Sequence, residues 1–386
     1  MHHQRGAHAF LDVETVVVGG GAMGAAATWQ LARRGRSVAL LEQFGPGHSK
    51  GASHGASRNF NAAYSHPSYV DLLVEARTQW HELEAESGQR LLTQVGIVNH
   101  GPNADFDSIA EALTHVGFGV EFFAPGDAER QWPGFRFDGR VLFSPDSGRL
   151  DGEAALRALS TAAASLGADL RYNCPVVGIT VIDDDLVRVD TEFGVILARN
   201  VIVAAGAWTQ KLLGSIVELP QLRVTQEQPA HFALMDSSPA AHDAATRSWP
   251  GFNHSYNPGD PRYGYWRSAI YGMYTPGLGI KAGWHGAGPE VDPDHRDYLP
   301  EPGALADLRR YVAEWIPGAN ADHFDAISCT YTSTVDENFI LDRVGPLVIA
   351  AGFSGHGFKF TPAIGRVLAD LATTTVRAPT IFSLSQ

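Results

Sequence analysis

The most constraining stretch of the chain is residues 15–42. A β-branched run, Thr15-Val16-Val17-Val18, is followed at once by Gly19-Gly20-Gly21-Ala22-Met23-Gly24, then by an alanine- and leucine-rich segment ending at Gly35. The run predicts a buried strand, and the segment after it predicts a helix stopped by a C-terminal glycine. Ser37-Val38-Ala39-Leu40-Leu41 reads as a second strand with Glu42 at its end. The three motif glycines have separate reasons. Gly19 allows the tight turn, Gly21 lets a pyrophosphate approach the backbone, and Gly24 lets the helix sit close to the strand. The N-terminus of the helix that follows offers free N–H groups and a partial positive charge to an anion, and Ala22 and Met23 in the turn are candidate cofactor contacts. Glu42 lies 18 residues beyond Gly24. That position suits an acid accepting hydrogen bonds from ribose hydroxyls, and it argues against a 2′-phosphorylated nicotinamide cofactor. GxGxxG alone is a weak signal; in the order strand, glycine turn, helix, strand, acid it marks a dinucleotide-binding α/β domain.

Two more strand-to-glycine elements follow, at residues 200–208, ending at Gly206 and Trp208, and at residues 347–352. Such crossings are expected where a parallel sheet holds one long cofactor along its carboxyl edge. Helical spacing predicts helices over residues 69–87, 151–166, 304–315 and 361–373. Residues 187–189 and 195–197 read as a hairpin-like pair. Residues 91–141 read as short strands and turns, and residues 219–325 are rich in Pro, Gly, Trp and Tyr. The expected architecture is α/β: a Rossmann-like nucleotide-binding domain (residues 1–90, 151–218 and 326–386) with an inserted sheet-rich, α+β substrate domain (91–150 and 219–325).

Charge and cysteine content narrow the function. With 42 acidic and 29 basic residues the net charge is −13, which argues against nucleic acid or an anionic membrane as partner. The two cysteines, Cys174 and Cys329, form no CxxC, so neither a disulfide framework nor a metal site is expected. Residues 1–11 carry His2, His3 and Arg5 and no long apolar run; they read as a frayed leader, and the chain as cytoplasmic.

Nicotinamide and flavin dinucleotides share the fingerprint, so the choice between them rests on the rest of the chain. The glycine turn, Gly51-Ala52-Ser53-His54-Gly55-Ala56-Ser57-Arg58, Ala204-Ala205-Gly206-Ala207-Trp208, Cys329-Thr330-Tyr331, Asp336 to Asp342, and Gly352-Phe353-Ser354-Gly355-His356-Gly357-Phe358-Lys359-Phe360 resemble monomeric sarcosine oxidase and N-methyltryptophan oxidase in register over nearly the whole chain. The resemblance implies FAD, joined through its 8α-methyl group to Cys329, and a monomer acting on a small amine and O2. It implies contacts to the cofactor from Gln43, Ser53, His54, Ser57, Val176, Gly355, Gly357 and Phe358 as well. Arg58 matches a cation near the flavin ring, and Lys281 a lysine that promotes reaction with oxygen, where a fixed ammonium favours superoxide. Lys359 matches one of two cations clamping a substrate carboxylate and also borders the cofactor. His285, His356, Tyr271 and Tyr331 match residues beside the ring or over its substrate side. His285 reads equally as a packed histidine, and the two tyrosines as buried aromatics.

The departures lie on the substrate side. The family's second carboxylate-binding arginine, three residues after Arg58, is Asn61 here; an amide keeps hydrogen bonding but loses charge. Around it Ala56, Ser57, Ser53 and His54 stand where the family has Asp, Thr and paired histidines. The expected activity is FAD-dependent oxidation of a secondary or tertiary amine other than simple sarcosine, with release of hydrogen peroxide. The alternatives are oxidation of a cyclic imino acid to a ring C=N bond, a dehydrogenase reacting poorly with oxygen, and a flavoprotein with little turnover.

Overall fold

A computed structural model of the chain describes residues 12–102 and 105–384; the leader, residues 1–11, lies outside the described residues. The opening stretch folds as β1 (Val13–Val18), α1 (Ala22–Arg33) and β2 (Val38–Leu41). β1 and β2 are parallel, with Val18 beside Leu41. On the other side of β1 runs the strand Gly194–Val203, with Val18 beside Val203, and then Leu347–Ala351, with Val203 beside Ile349. Gly19, Glu42, Ala204 and Gly352 therefore all leave the sheet at one carboxyl edge. Parallel register puts them there, because each strand enters the core from the same end.

Residues 194–203 form one strand where the sequence reads as two segments. The first half pairs antiparallel with Leu186–Thr191, and the second half joins the parallel sheet. The polar pair Arg199-Asn200 interrupts the apolar pattern but not the backbone ladder.

α1 is buried over eleven of its twelve residues, because it lies between the sheet and the helices Gly152–Ser165 and Thr361–Thr373. Close packing needs small residues: a Cβ on Gly365 would sit 2.6 Å from the Ala26 backbone, and one on Gly24 would sit 1.8 Å from Gly19 O. Full burial of Trp29 and Leu31 contributes about 2 kcal/mol each. The helix Pro67–Ser87 starts with Pro67 in its first turn, buries Leu72, Leu73, Ala76, Trp80 and Leu83, and ends at left-handed Gly88. Cys174 is buried in the core beneath the sheet, with Ile179 and Val187 in the same cluster.

A second eight-stranded sheet is drawn from residues 97–144 and 230–326. At its centre Ile97–His100, Gly251–His254, Ile270–Thr275 and Gly279–Trp284 lie side by side, which places Asn99, Asn253, Tyr271 and Gly283 in one row. Side chains two residues apart share a face, so Lys281 faces the same way as Gly283. The strands Arg223–Glu227 and Cys329–Ser333 pair between the sheets, with Thr225 opposite Tyr331.

Two helices, Phe106–His115 and Pro125–Gln131, interrupt residues 91–141, expected to be short strands and turns, and a third, Pro239–Ser248, lies in the Pro- and Gly-rich segment 219–325. Their signals are local. Phe106, Ile109 and Leu113 sit at helical spacing, and Pro125 and Pro239 occupy first-turn positions. No helix among the described residues is long and apolar enough to cross a membrane, and among them no cluster of His, Cys, Asp or Glu could hold a metal ion.

Candidate active site

A cavity of ≈ 1290 Å³ runs along the carboxyl edge of the parallel sheet and ends against the second sheet. It exceeds the ~300–1,000 Å³ of an ordinary small-molecule pocket, as a site for a long cofactor plus a substrate must. Every site residue expected from the sequence lines it except Gly24, whose missing side chain is needed for helix packing.

At one end are Gly19, Gly21, Ala22 and Met23 with Glu42, Gln43, Val176, Gly206 and Trp208. Gly19 has φ +103, and a Cβ there would meet Ala204 O at 2.5 Å. Gly21 gives α1 no side-chain cap; Ser53 Oγ accepts from Ala22 N–H at 2.9 Å instead. Glu42 accepts from Gly20 N at 2.7 Å and Phe44 N at 2.9 Å. Burial raises its pKa, but hydrogen bonds from His48, Phe44 and Gly20 outweigh burial and hold it below the usual carboxylate value. Those contacts leave the carboxylate a lone pair for a hydroxyl, since it offers about four acceptor sites. A glycine turn open to the cavity, a helix N-terminus and an ionised acid at the strand end fit a dinucleotide such as FAD.

At the centre, the loop of residues 51–58 wraps around Arg58. Its guanidinium donates to Ser57 O at 2.8 Å, to Ala52 O at 3.0 Å and to His54 O, and it lies 5.3 Å over the Phe358 ring. The ring nitrogens of His54 meet Gly51 O at 2.7 Å and Ser328 O at 2.9 Å. Ser57 Oγ is hydrogen-bonded to Thr275 Oγ1 at 2.5 Å. Cys329 is half-buried on the cavity wall, with Sγ near Ala52 O. Arg296, which no sequence signal picks out, binds Ser328 Oγ at 2.8 Å, Cys329 O at 3.4 Å and Lys50 O at 2.9 Å, tying the loop to the cysteine strand. Lys281 is 6% exposed, and among the described residues nothing bonds its ammonium. Burial first, then Arg58, pushes its pKa down to about 7. His231, paired with Lys281 across the sheet, is pushed down to about 4 by burial and by the Lys281 charge.

At the far end are Tyr271, Tyr331, His285, His356, Lys359 and Asn61. A Cβ on Gly355, at φ +76, would strike the Tyr331 ring at 2.1 Å, so glycine there lets the backbone lie flat against the tyrosine; Gly357 is similarly crowded by Phe353 and Met23. Tyr331 Oη reaches His285 Nδ1 at 3.4 Å. Burial and the Lys359 charge keep His285 neutral, at about 4. Lys359 Nζ donates to His356 O at 2.6 Å and to Tyr64 Oη at 2.9 Å. Tyr64, Asn99 and Asn253 also belong to this end, and the sequence reading missed them. Tyr64 is three residues past Asn61, and the two asparagines become neighbours only through sheet register.

A dinucleotide cleft that opens onto an aromatic, lysine-bearing chamber defines a flavin-dependent oxidoreductase. Residues 14–371 match the FAD dependent oxidoreductase (DAO) family. The chain is 33% identical to the monomeric sarcosine oxidase of Bacillus sp. (strain B-0618), over 97% of this chain and 96% of that protein. It is 28% identical to the N-methyl-L-tryptophan oxidase of Citrobacter koseri, over 94% of this chain and 95% of that protein. Among solved structures, NikD, an unusual amino acid oxidase essential for nikkomycin biosynthesis, superimposes with a TM-score of 0.82 at 25% identity, over 97% of this chain and 98% of that one. The chain belongs to this family of flavin-dependent amine oxidases.

Proposed function

We propose that the protein oxidises a secondary or tertiary amine derived from an amino acid, with dioxygen as the electron acceptor. The observation that carries this reading is Lys281: a buried ammonium, without a protein partner among the described residues, facing the chamber that also holds Lys359. FAD, when bound, would supply the redox chemistry: a hydride acceptor for the carbon beside the amine nitrogen and, with one proton from the medium, a two-electron reductant that converts dioxygen to hydrogen peroxide. The protein's part is position and electrostatics. Gly19, Gly21 and the α1 N-terminus would hold the diphosphate, Glu42 the ribose, and Cys329 the covalent link. Arg58 and Lys281 place positive charge where negative charge develops. Tyr271, Tyr331, His285 and His356 wall the substrate and stay neutral, leaving Lys359 as the cation at the substrate end. The oxidised substrate, an iminium ion, takes up water and separates into an amine and a carbonyl compound.

We take residues 1–90, 151–218 and 326–386 as the cofactor domain and residues 91–150 and 219–325 as the substrate domain. We also take the protein as a cytoplasmic monomer. Anaerobic titration with candidate amines tests the reading. Bleaching of the flavin absorbance by at least one amine, and peroxide on readmitting air, is the expected result. No bleaching by any amine, or bleaching without peroxide, defeats it.

A further inference from the structure

The substitution of Asn61 for a cation is one part of a larger arrangement. Asn61 Nδ2 donates to Asn99 Oδ1 at 3.3 Å, and Asn253 Nδ2 donates to the same oxygen at 3.0 Å. Asn61 Oδ1 accepts from the backbone N–H of Ala63 at 3.2 Å. A backbone N–H only donates, so this contact fixes the orientation of all three amides. Asn61 must present Oδ1 to Ala63 and therefore Nδ2 to Asn99. Asn99 must then present its oxygen, and Asn253 its nitrogen. Asn99 is 5% exposed and works as a positioning residue. Asn253 Oδ1 is left without a partner among the described residues and is not sealed in the core, and Asn253 lines the cavity.

We propose that Asn61, Asn99 and Asn253 form an uncharged amide subsite that selects amines bearing a neutral donor–acceptor arm, a carboxamide above all, over amines bearing a free carboxylate. This rests on the amine-oxidase reading and deepens it. A carboxamide brings an N–H for Asn253 Oδ1 and a carbonyl for the remaining N–H groups and for Lys359. A carboxylate brings acceptors only, and sets one of them against the Asn253 oxygen. Lys359, which lines the same cavity, does not compensate fully, because it already donates to Tyr64 Oη and His356 O and burial pushes its pKa down to about 7. Asn61 offers no guanidinium for bidentate pairing, the strong form of carboxylate recognition.

The test uses holoenzyme and matched probes: N-methylglycine against N-methylglycinamide, and proline against prolinamide. The readouts are the spectral Kd and the rate of anaerobic flavin bleaching. The expected result is a preference for the amides of about tenfold in rate over Kd, about the size of one to two hydrogen bonds. Asn253→Leu should lose most of that preference, and Asn61→Arg should reverse it toward the acids, with flavin content and melting temperature checked for each variant. A wild-type preference for the acids, or a preference for the amides that Asn253→Leu and Asn61→Arg leave unmoved, overturns the subsite alone. Failure of any amine, including these probes, to bleach the flavin overturns the amine-oxidase reading and the subsite with it.

Discussion

Lys359 and Tyr64, 295 residues apart in the chain, share a hydrogen bond of 2.9 Å in which the ammonium donates to the phenolic oxygen. The Tyr64 proton is thereby directed to His356 Nδ1, 3.0 Å away, and His356 Nε2–H donates to Glu337 O at 3.0 Å. The chain of donors fixes the histidine tautomer and orients the cation at the substrate end from behind. Replacing Tyr64 with Phe removes that support while keeping the ring. Binding of a carboxylate ligand should weaken by about three- to tenfold, with flavin content unchanged; an unaltered Kd would detach Tyr64 from this role.

The Lys359 charge should be visible as a pH dependence. Burial lowers its pKa to about 7, so the ammonium is present below that pH and lost above it. A carboxylate ligand binds the charged form, so its Kd should be flat at low pH and rise above 7, approaching about tenfold per pH unit. His285 and His356, held at about 4 and about 3, titrate outside this window. Lys281, also at about 7, does not, and the Lys281→Met variant separates the two. A ligand with a neutral arm should show a much smaller slope in the same spectral titrations.

Lys281→Met should slow reoxidation of the reduced flavin by about a hundredfold or more, the scale of losing one preorganised charge, and change anaerobic reduction by only a few-fold. Stopped-flow traces of the two half-reactions make the comparison. Equal slowing of both would assign Lys281 to general packing of the chamber.

Cys329→Ala should leave a protein whose yellow colour passes into the supernatant on acid precipitation, whereas in the wild type it stays with the pellet. Colour in the wild-type supernatant would show that the cofactor is held without a covalent bond.

Gly355→Ala places a methyl group 2.1 Å from the Tyr331 ring at a φ of +76, and should cost about 2 kcal/mol or more of stability. A melting temperature within a degree of wild type would mean that this turn relaxes freely.

Much of this was legible along the chain. Residues 13–42 adopt the strand, turn, helix and strand that their order implies, and the helix Thr361–Thr373 has the bounds its spacing predicts. Phe106–His115 shows the limit: the apolar spacing was present, but short strands nearby masked it. The family resemblance marks Arg58 as a cation near the flavin ring; only the fold shows that its guanidinium is held by the carbonyls of its own loop.

By itself the sequence determined the dinucleotide turn and the acid after β2, because those signals depend on residues close together in the chain, whereas Lys281, Cys329 and Lys359 stand out only through the family resemblance. Tertiary structure alone decided that Asn99 stands beside Asn253, that both amides answer to the Ala63 N–H through Asn61, and that Tyr64 holds Lys359. The physical reason is that hydrogen-bond direction is settled by the partner. Here the partners come from different strands and loops, brought together by sheet register and packing.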